Sequence, residues 1–291
     1  RWRALPETSR FGALRGTLER ADALLVALKA QGASFLSDLL PSSFDLRLRR
    51  FGRALAAGLE EGRFDGPELE RLRAAVSRHL LAARNPERVE AVEMACRLTR
   101  WLEIGRGENE SSTFFSRCRE FADSLGFVDS AREHLTVAES VPELAGAYRD
   151  LLSRVAEARD DRNRNFGQEL SKWCAAPGTS ESEIPVESVI PKVVAPLAAG
   201  RPVLLVVLDG MSYGVFRSIA GDLVAAGWNE IAPGRAGRRL SAISAVPSVT
   251  EVSRTSLLCG ALVAGGSAEE KNGFSKHPAL LAASRAGRPP A

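Results

Sequence analysis

The sequence predicts an α-helical bundle domain followed by the beginning of an α/β domain, and three observations carry that reading. Apolar side chains recur at helical spacing from about residue 8 to 175. A polar segment bearing Pro, Gly and Ser then interrupts the chain, and beyond it a short apolar run, Val203–Leu208, alternates with amphipathic stretches. The predicted division is a helical domain over 1–178, a linker over 179–186 and an α/β part over 187–291. With 291 residues, 45% of them hydrophobic, the chain is long enough for two cores.

In the first part Phe44, Leu48, Phe51, Leu55 and Leu59 fall at steps of three or four and form one apolar stripe, with Asp45, Arg47, Arg49 and Arg50 off it. Similar stripes run through Leu14, Leu18, Leu25 and Leu28; Leu69, Leu72, Val76 and Leu80; Val89, Val92 and Cys96; and Tyr148, Leu151 and Val155. Gly32, Pro41, Asp65-Gly66-Pro67, Asn85-Pro86 and the polar stretch 105–109 punctuate them. Charges alternate over 157–164 (EARDDRNR), after which Phe166, Leu170 and Trp173 resume the spacing, so one long helix is expected to leave the core and return.

The segment 176–185, APGTSESEIP, reads as the linker. After it the pattern predicts a helix to about Ala199, a strand over Val203–Leu208 buried between helices, an amphipathic helix over 213–226, a weaker strand near 240–246 and a helix from about Ser248.

Composition excludes several classes. With 39 basic and 36 acidic residues the net charge is +3, far from the bias of a protein that grips nucleic acid chiefly through phosphates. Cys96, Cys118, Cys174 and Cys259 lie far apart, so neither a zinc site nor a disulfide framework is expected. No stretch of about 18 apolar residues and no signal segment is present, which predicts a cytoplasmic protein with no membrane partner. Arg1 stands where an initiator Met is expected and RAGRPPA ends the chain without a closing element, so the sequence is expected to be part of a longer protein.

Chemistry concentrates where VLLVVLDGMSYGVF breaks from apolar to polar at Asp209. A carboxylate at the carboxyl end of a strand can bind a metal, act as a nucleophile, or cap the next helix, as can Ser212. Gly210-Met211-Ser212-Tyr213-Gly214 also fits the nucleophile elbow of a serine hydrolase, but the largely helical chain ahead of it lacks the strands such a fold places first. A haloacid-dehalogenase aspartate needs a second Asp at the position of Met211, and no phosphate-cradling Gly-rich loop occurs.

A second motif lies at 245–260, AVPSVTEVSRTSLLCG. Ser248 to Glu251 fits a capping box that would put Thr250 in the first turn of a helix, where free N–H groups suit a phosphate oxyanion. The pair LDG…PSVTEVSRTSLLCG resembles the alkaline phosphatase superfamily. VLDGMSYGVF, PSVTEVSRTSLLCG and EKNGFSKHPAL together resemble the PglZ domain of BREX phage-defence systems, and RADALLVAL with LPSSFDLRLRRFG is similar to the region ahead of that domain in type 2 (Pgl) systems. The specific motifs lie within about 201–280.

The resemblance implies an alkaline phosphatase-like α/β domain and metal-dependent phosphoryl transfer. Thr250 would be the covalent nucleophile, Asp209 and Thr250 ligands of the divalent metal, and Arg254 a contact to phosphate. Zinc is the usual superfamily metal, with manganese or magnesium as alternatives. It also implies an antiviral-defence phosphatase or phosphodiesterase with phosphate-ester or nucleic-acid substrate and other BREX/Pgl subunits, methyltransferase and ATPase or kinase components, as partners. The alternative is a non-catalytic scaffold subunit of the BREX complex. Further ligands of such enzymes come from later strands, so this chain by itself is expected to be metal-free and inactive. His277, beside Pro278, reads as a surface residue rather than a ligand, His79 and His134 as structural, and PGRAGRRL (233–240) as a solvated loop rather than a phosphate-backbone contact. Arg254 can face a phosphate or pair with Glu251.

Overall fold

The computed structural model describes residues 7–105, 113–176, 178, 183–231 and 239–284. In chain order the helices are α1 (Glu7–Ala27), α2 (Pro41–Glu61), α3 (Gly66–Ser77), α4 (Pro86–Ile104), α5 (Phe114–Glu120), α6 (Gly126–His134) and α7 (Pro142–Ala175). Strand β1 (Glu183–Pro185) precedes α8 (Ala195–Ala198) and α9 (Tyr213–Ala225); strand β2 (Ser241–Ile243) precedes α10 (Thr250–Cys259), α11 (Ser267–Ser275) and α12 (Pro278–Ala283). The chain forms two compact units, 1–110 with 128–165, and 111–127 with 166–291. The continuous α7 confirms the single long helix read from its charges, and its residues from Phe166 onward belong to the second unit.

The first unit is built on the periodicity of its sequence. Phe44, Leu48, Phe51 and Leu55 of α2 are fully buried, as are Val76, Val92, Leu98, Leu144, Leu151 and Val155 on the helices around it. Prolines open α2, α3 and α4, where a missing N–H costs nothing, and Asp65 caps α3 by accepting from the Glu68 amide at 3.0 Å. Leu28, read as part of the first stripe, is exposed, and the side chain of Leu14 lies outside the described residues.

Arg47 departs from the expectation that it lies off the core. It is buried, and its fork donates to the carbonyls of Ala75 at 2.6 Å, Phe35 at 3.1 Å and Ser37 at 2.9 Å, with Asp38 as ion-pair partner at 2.7 Å. Those carbonyls lie at the ends of α3 and of the turn Gln31–Leu36, where the helical ladder leaves acceptors unpaired. Arg88 likewise holds the loop ahead of α7 through the buried carboxylate of Glu139.

In the second unit Phe114 stacks on Trp173 at 4.8 Å and on Phe166 at 5.6 Å. β1 and β2 pair in parallel, Ile184 opposite Ala242, so a strand forms inside the segment read as a linker. Glu183, at the head of β1, is buried and held by Arg119 at 3.2 Å. The helix expected up to Ala199 is broken into a 3₁₀ turn, a π turn and the short α8, with Pro191 and Pro196 removing backbone donors. Ile190, Val194, Ala195 and Leu280 form its core.

The predicted strand Val203–Leu208 is not formed: the run has no ladder partner among the described residues. Leu205 packs against the Ile190 core, while Leu204 is 87% and Leu208 53% exposed. An apolar run specifies a preference for burial, but a strand also needs neighbouring backbone, and the two described strands pair with each other. The later strand and helices do form, β2 within 240–246 and α9 over almost the expected span.

Gly52 allows α2 and α7 to approach: a Cβ there would meet the backbone N and Cα of Leu144 at 2.7 Å. Gly52→Ala therefore loses about 1–3 kcal/mol from overpacking despite better helix propensity. Gly167→Ala, in α7 with open space around it, gains about 0.5–1 kcal/mol from that propensity alone. Urea denaturation of the two variants reads these opposite signs.

Candidate functional site

The site lies wholly in the second unit, between the turn after Leu208 and the start of α10. Gly210 adopts φ +71°, a left-handed conformation that glycine takes without penalty, and turns the chain sharply behind Asp209. Ser212 caps α9: its Oγ accepts from the Val215 amide at 3.3 Å. Its hydroxyl is thus engaged at the start of the helix.

Among the described residues Asp209 caps no helix. Its Oδ2 accepts from Thr250 Oγ1 at 3.0 Å and from Arg254 Nη1 at 3.0 Å. Two motif residues 41 positions apart thus meet on one carboxylate oxygen. The expected capping box does not form: α10 starts at Thr250 itself, its N-cap is Val249, and no side chain caps it. The Thr250 hydroxyl is thereby directed at Asp209, and among the described residues the amides of Thr250 and Glu251 take no protein acceptor. Open amides at a helix N-terminus favour an anion.

Arg254 lies four residues after Thr250, one turn along the same face. It pairs with Glu270, Nε to Oε1 at 2.9 Å, and with Asp209, not with Glu251. Its pKa is raised chiefly by the hydrogen bond to Glu270, with Asp209 contributing less. Glu270 is buried and also lies 3.2 Å from Thr255 Oγ1. The sequence reading missed it. A signal was present: Glu269 closes the start of α11 by accepting from the Gly266 amide at 2.8 Å, and the next residue of such a turn packs inward.

The donor chemistry of Asp209 and Thr250, one carboxylate and one hydroxyl, suits one side of a divalent ion bound by oxygen. Two donors fall short of the four to six or more that such ions take. Among the described residues no group of three or more His, Cys, Asp or Glu could hold a metal. Arg254 stands on the same Asp209 oxygen that a cation would use.

His277, read as a surface residue, is buried. Its Nδ1 accepts from the Ala279 amide at 3.2 Å to cap α12, and its ring packs against Gly260, whose φ of +68° ends α10. A ring between Lys276 and Pro278 gives no periodic signal of burial, which is why spacing missed it. His79 is structural as expected, buried with Nε2 3.1 Å from the Leu40 carbonyl and Nδ1 accepting from the Leu81 amide. His134 pairs with Glu90 and with the Ser130 carbonyl. Of PGRAGRRL only Arg239 and Leu240 fall within the described residues, and Arg239 is engaged by Glu230. Cys96 is buried with its thiol pushed up to about 12, so it is no nucleophile at neutral pH.

No family model, curated protein or solved structure matches the chain. No helix among the described residues is long and apolar enough to cross a membrane.

Burial lowers the pKa of both His79 and His277 from 6.5. Their folded forms bind a proton less readily than the unfolded chain, so stability is complete above about 6.5 and is lost as pH falls through and below that value. A protonated His277 also cannot accept the Ala279 amide. Urea denaturation at about pH 7.5 and 5.5 shows the loss, and His277→Asn, which keeps a capping oxygen without titrating, reduces it.

Proposed function

We propose that the chain is part of a phosphoryl-transfer protein related to the PglZ domain of BREX/Pgl defence systems, acting in the cytoplasm as a metal-dependent phosphatase or phosphodiesterase. The observation that supports this reading is the 3.0 Å hydrogen bond from Thr250 Oγ1 to Asp209 Oδ2, which joins the two motif residues at the mouth of a helix. Its substrate is a phosphate ester, free or within a nucleic acid, and its partners are the methyltransferase and ATPase or kinase components of such a system.

The chemistry follows from where protons and charge sit. Thr250 Oγ1 attacks phosphorus, its proton leaves toward Asp209, and the ester oxygen departs with the electron pair of the broken P–O bond. The departing oxygen takes up a proton from solvent; water then cleaves the Thr250 ester, returning a proton to Oγ1 and releasing phosphate from a monoester or a phosphomonoester from a diester. Arg254 and the open amides of α10 receive the phosphoryl oxygens. A hydroxyl is an acid weaker than a carboxylic acid by roughly ten orders of magnitude, so Asp209 alone cannot keep Thr250 deprotonated. A divalent cation, zinc or else manganese or magnesium, supplies the missing acidity and neutralises phosphoryl charge when bound.

A non-catalytic scaffold role is the second reading, favoured by the exposed apolar side chains of Val203, Leu204, Val206, Val207 and Leu208 and of Val215, Leu223 and Val224 on α9. Hydrolysis of a chromogenic phosphodiester by the full-length protein separates the two. On the enzymatic reading EDTA abolishes turnover, Thr250→Ala lowers kcat by about a thousandfold or more, and Asp209→Asn raises the metal concentration needed for half activity. Turnover that survives both substitutions removes Thr250 and Asp209 from the chemistry. Because Asp209 and Thr250 alone offer so few donors, calorimetry of this chain with Mn²⁺ shows no saturable binding below about 1 mM.

A further inference from the structure

We propose that Glu270 is a positioning residue of this site: from inside the α10–α11 packing it holds Arg254 by Nε, which presents the outer guanidinium nitrogens to an oxygen of a phosphate ester at the open end of α10. The inference rests on the phosphoryl-transfer reading of Thr250 and Asp209 and names the device that aims the anion-binding group.

Glu270 comes from α11 and Arg254 from α10, and the two helices approach closely because residue 273 is a glycine. A Cβ there would lie 2.9 Å from Cys259 Cα and against its Sγ. The carboxylate that this approach brings in is 8% exposed, and a buried carboxylate must be matched by donors. Its donors are Arg254 Nε at 2.9 Å and the wholly buried Thr255 hydroxyl at 3.2 Å. Thr255 also reaches the Gly265 carbonyl at 3.1 Å, which fixes the loop leading into α11. Both donors fall on Oε1, the Thr255 proton being shared with the Gly265 carbonyl, so burial and a hydroxyl of the helix pair hold the carboxylate independently of Arg254, and the more exposed arginine takes its orientation from it.

Arg254 is one-third exposed, and only its Nη1 reaches Asp209. Among the described residues Nη2 has no hydrogen-bond partner. Holding a planar fork by Nε leaves both outer nitrogens in a defined plane, the geometry that recognises two oxygens of one phosphoryl group. An arginine present merely to neutralise Asp209 would need no second, buried carboxylate. Lysine could supply the charge but not this aim.

Side-chain ¹H–¹⁵N NMR of the chain, titrated with inorganic phosphate, tests this. In the wild-type chain the Arg254 Nε–H exchanges slowly and phosphate shifts it. Asp209→Asn leaves that protection in place, Glu270→Leu abolishes it, and Glu270→Gln, which keeps an acceptor, restores it. The phosphate concentration for half-shift rises about tenfold in Glu270→Leu, the loss expected for one charge-assisted contact. Arg254→Lys, at a partly exposed position that leaves folding intact, weakens phosphate binding by the same factor when followed through the Thr250 and Glu251 amides. The proposal is overturned if Asp209→Asn rather than Glu270→Leu releases Nε, if phosphate does not move Arg254, or if Arg254→Lys binds phosphate as the wild type does. Hydrolysis that survives Thr250→Ala overturns the phosphoryl-transfer reading instead, and leaves the NMR outcome standing on its own.

Discussion

A carboxylate withdrawn from water inside a helix pair dictates much of the second unit. Glu270 can occupy its place only if donors converge on it, and those donors are consecutive residues of α10, Arg254 and Thr255. The neighbouring Ser256, also wholly buried, accepts from the Val263 amide at 3.1 Å and reaches its carbonyl at 3.2 Å, while the Glu251 carbonyl accepts from the Gly265 amide at 2.9 Å. The loop between α10 and α11 is thus tied to one side of α10 by side chains and backbone together. With that side committed, Thr250 and the outer atoms of Arg254 are left facing Asp209. Moving Glu270 would release Arg254 and with it one of the two donors on the Asp209 oxygen.

The first unit applies the same rule to carbonyls. Arg47 sits beside Leu48 on the buried face of α2 because its fork reaches acceptors that the ends of two helical turns leave open. Removing the guanidinium would take a donor from the Ala75 and Phe35 carbonyls and leave the Ser37 carbonyl to the Ser43 hydroxyl alone. Gly52, on the same helix, allows the backbone of α7 to come close enough to bury Leu144 and Tyr148 completely or nearly so. The helix is therefore specified by a polar residue and a missing side chain as much as by Phe44, Leu48, Phe51 and Leu55.

These particulars explain what the sequence discloses. Helices α2, α3, α4 and α7 were legible because a 3.6-residue period is local, Asp209 because it stands at a break between apolar and polar chain, and Thr250 because a capping pattern and a motif resemblance put it at the start of a helix. Arg47, Glu270 and His277 were not, since the partners that make a polar group welcome in a core lie 10 to 28 positions away for Arg47 and 15 or 16 for Glu270, and for His277 the burying neighbour Gly260 lies on another element. Arg254 shows the limit most clearly. Spacing offered Glu251 as its partner, and the fold supplied Glu270, which only the close approach at Gly273 brings within reach. For Val203–Leu208 composition was read as structure, whereas a strand is a relation between two backbones.

The charges at the site also order its chemistry. One guanidinium faces two carboxylates, so Asp209, Glu270 and Arg254 together carry one net negative charge, and an anionic ester approaching Thr250 meets Asp209 at short range. At an effective dielectric of about 20, like charges 4 Å apart repel by about 4 kcal/mol, which offsets much of what Arg254 and the open amides of α10 return and leaves anion binding weak. On the phosphoryl-transfer reading the hydrogen bond from Thr250 to Asp209 is therefore a resting arrangement, with the proton still on the hydroxyl and the carboxylate still able to repel substrate. Asp209 and Thr250 would hold a divalent cation on this oxygen, and such a charge would acidify the hydroxyl and turn the net charge positive. Arg254 survives that change because its stronger partner is Glu270, on the side of the guanidinium away from the reacting groups.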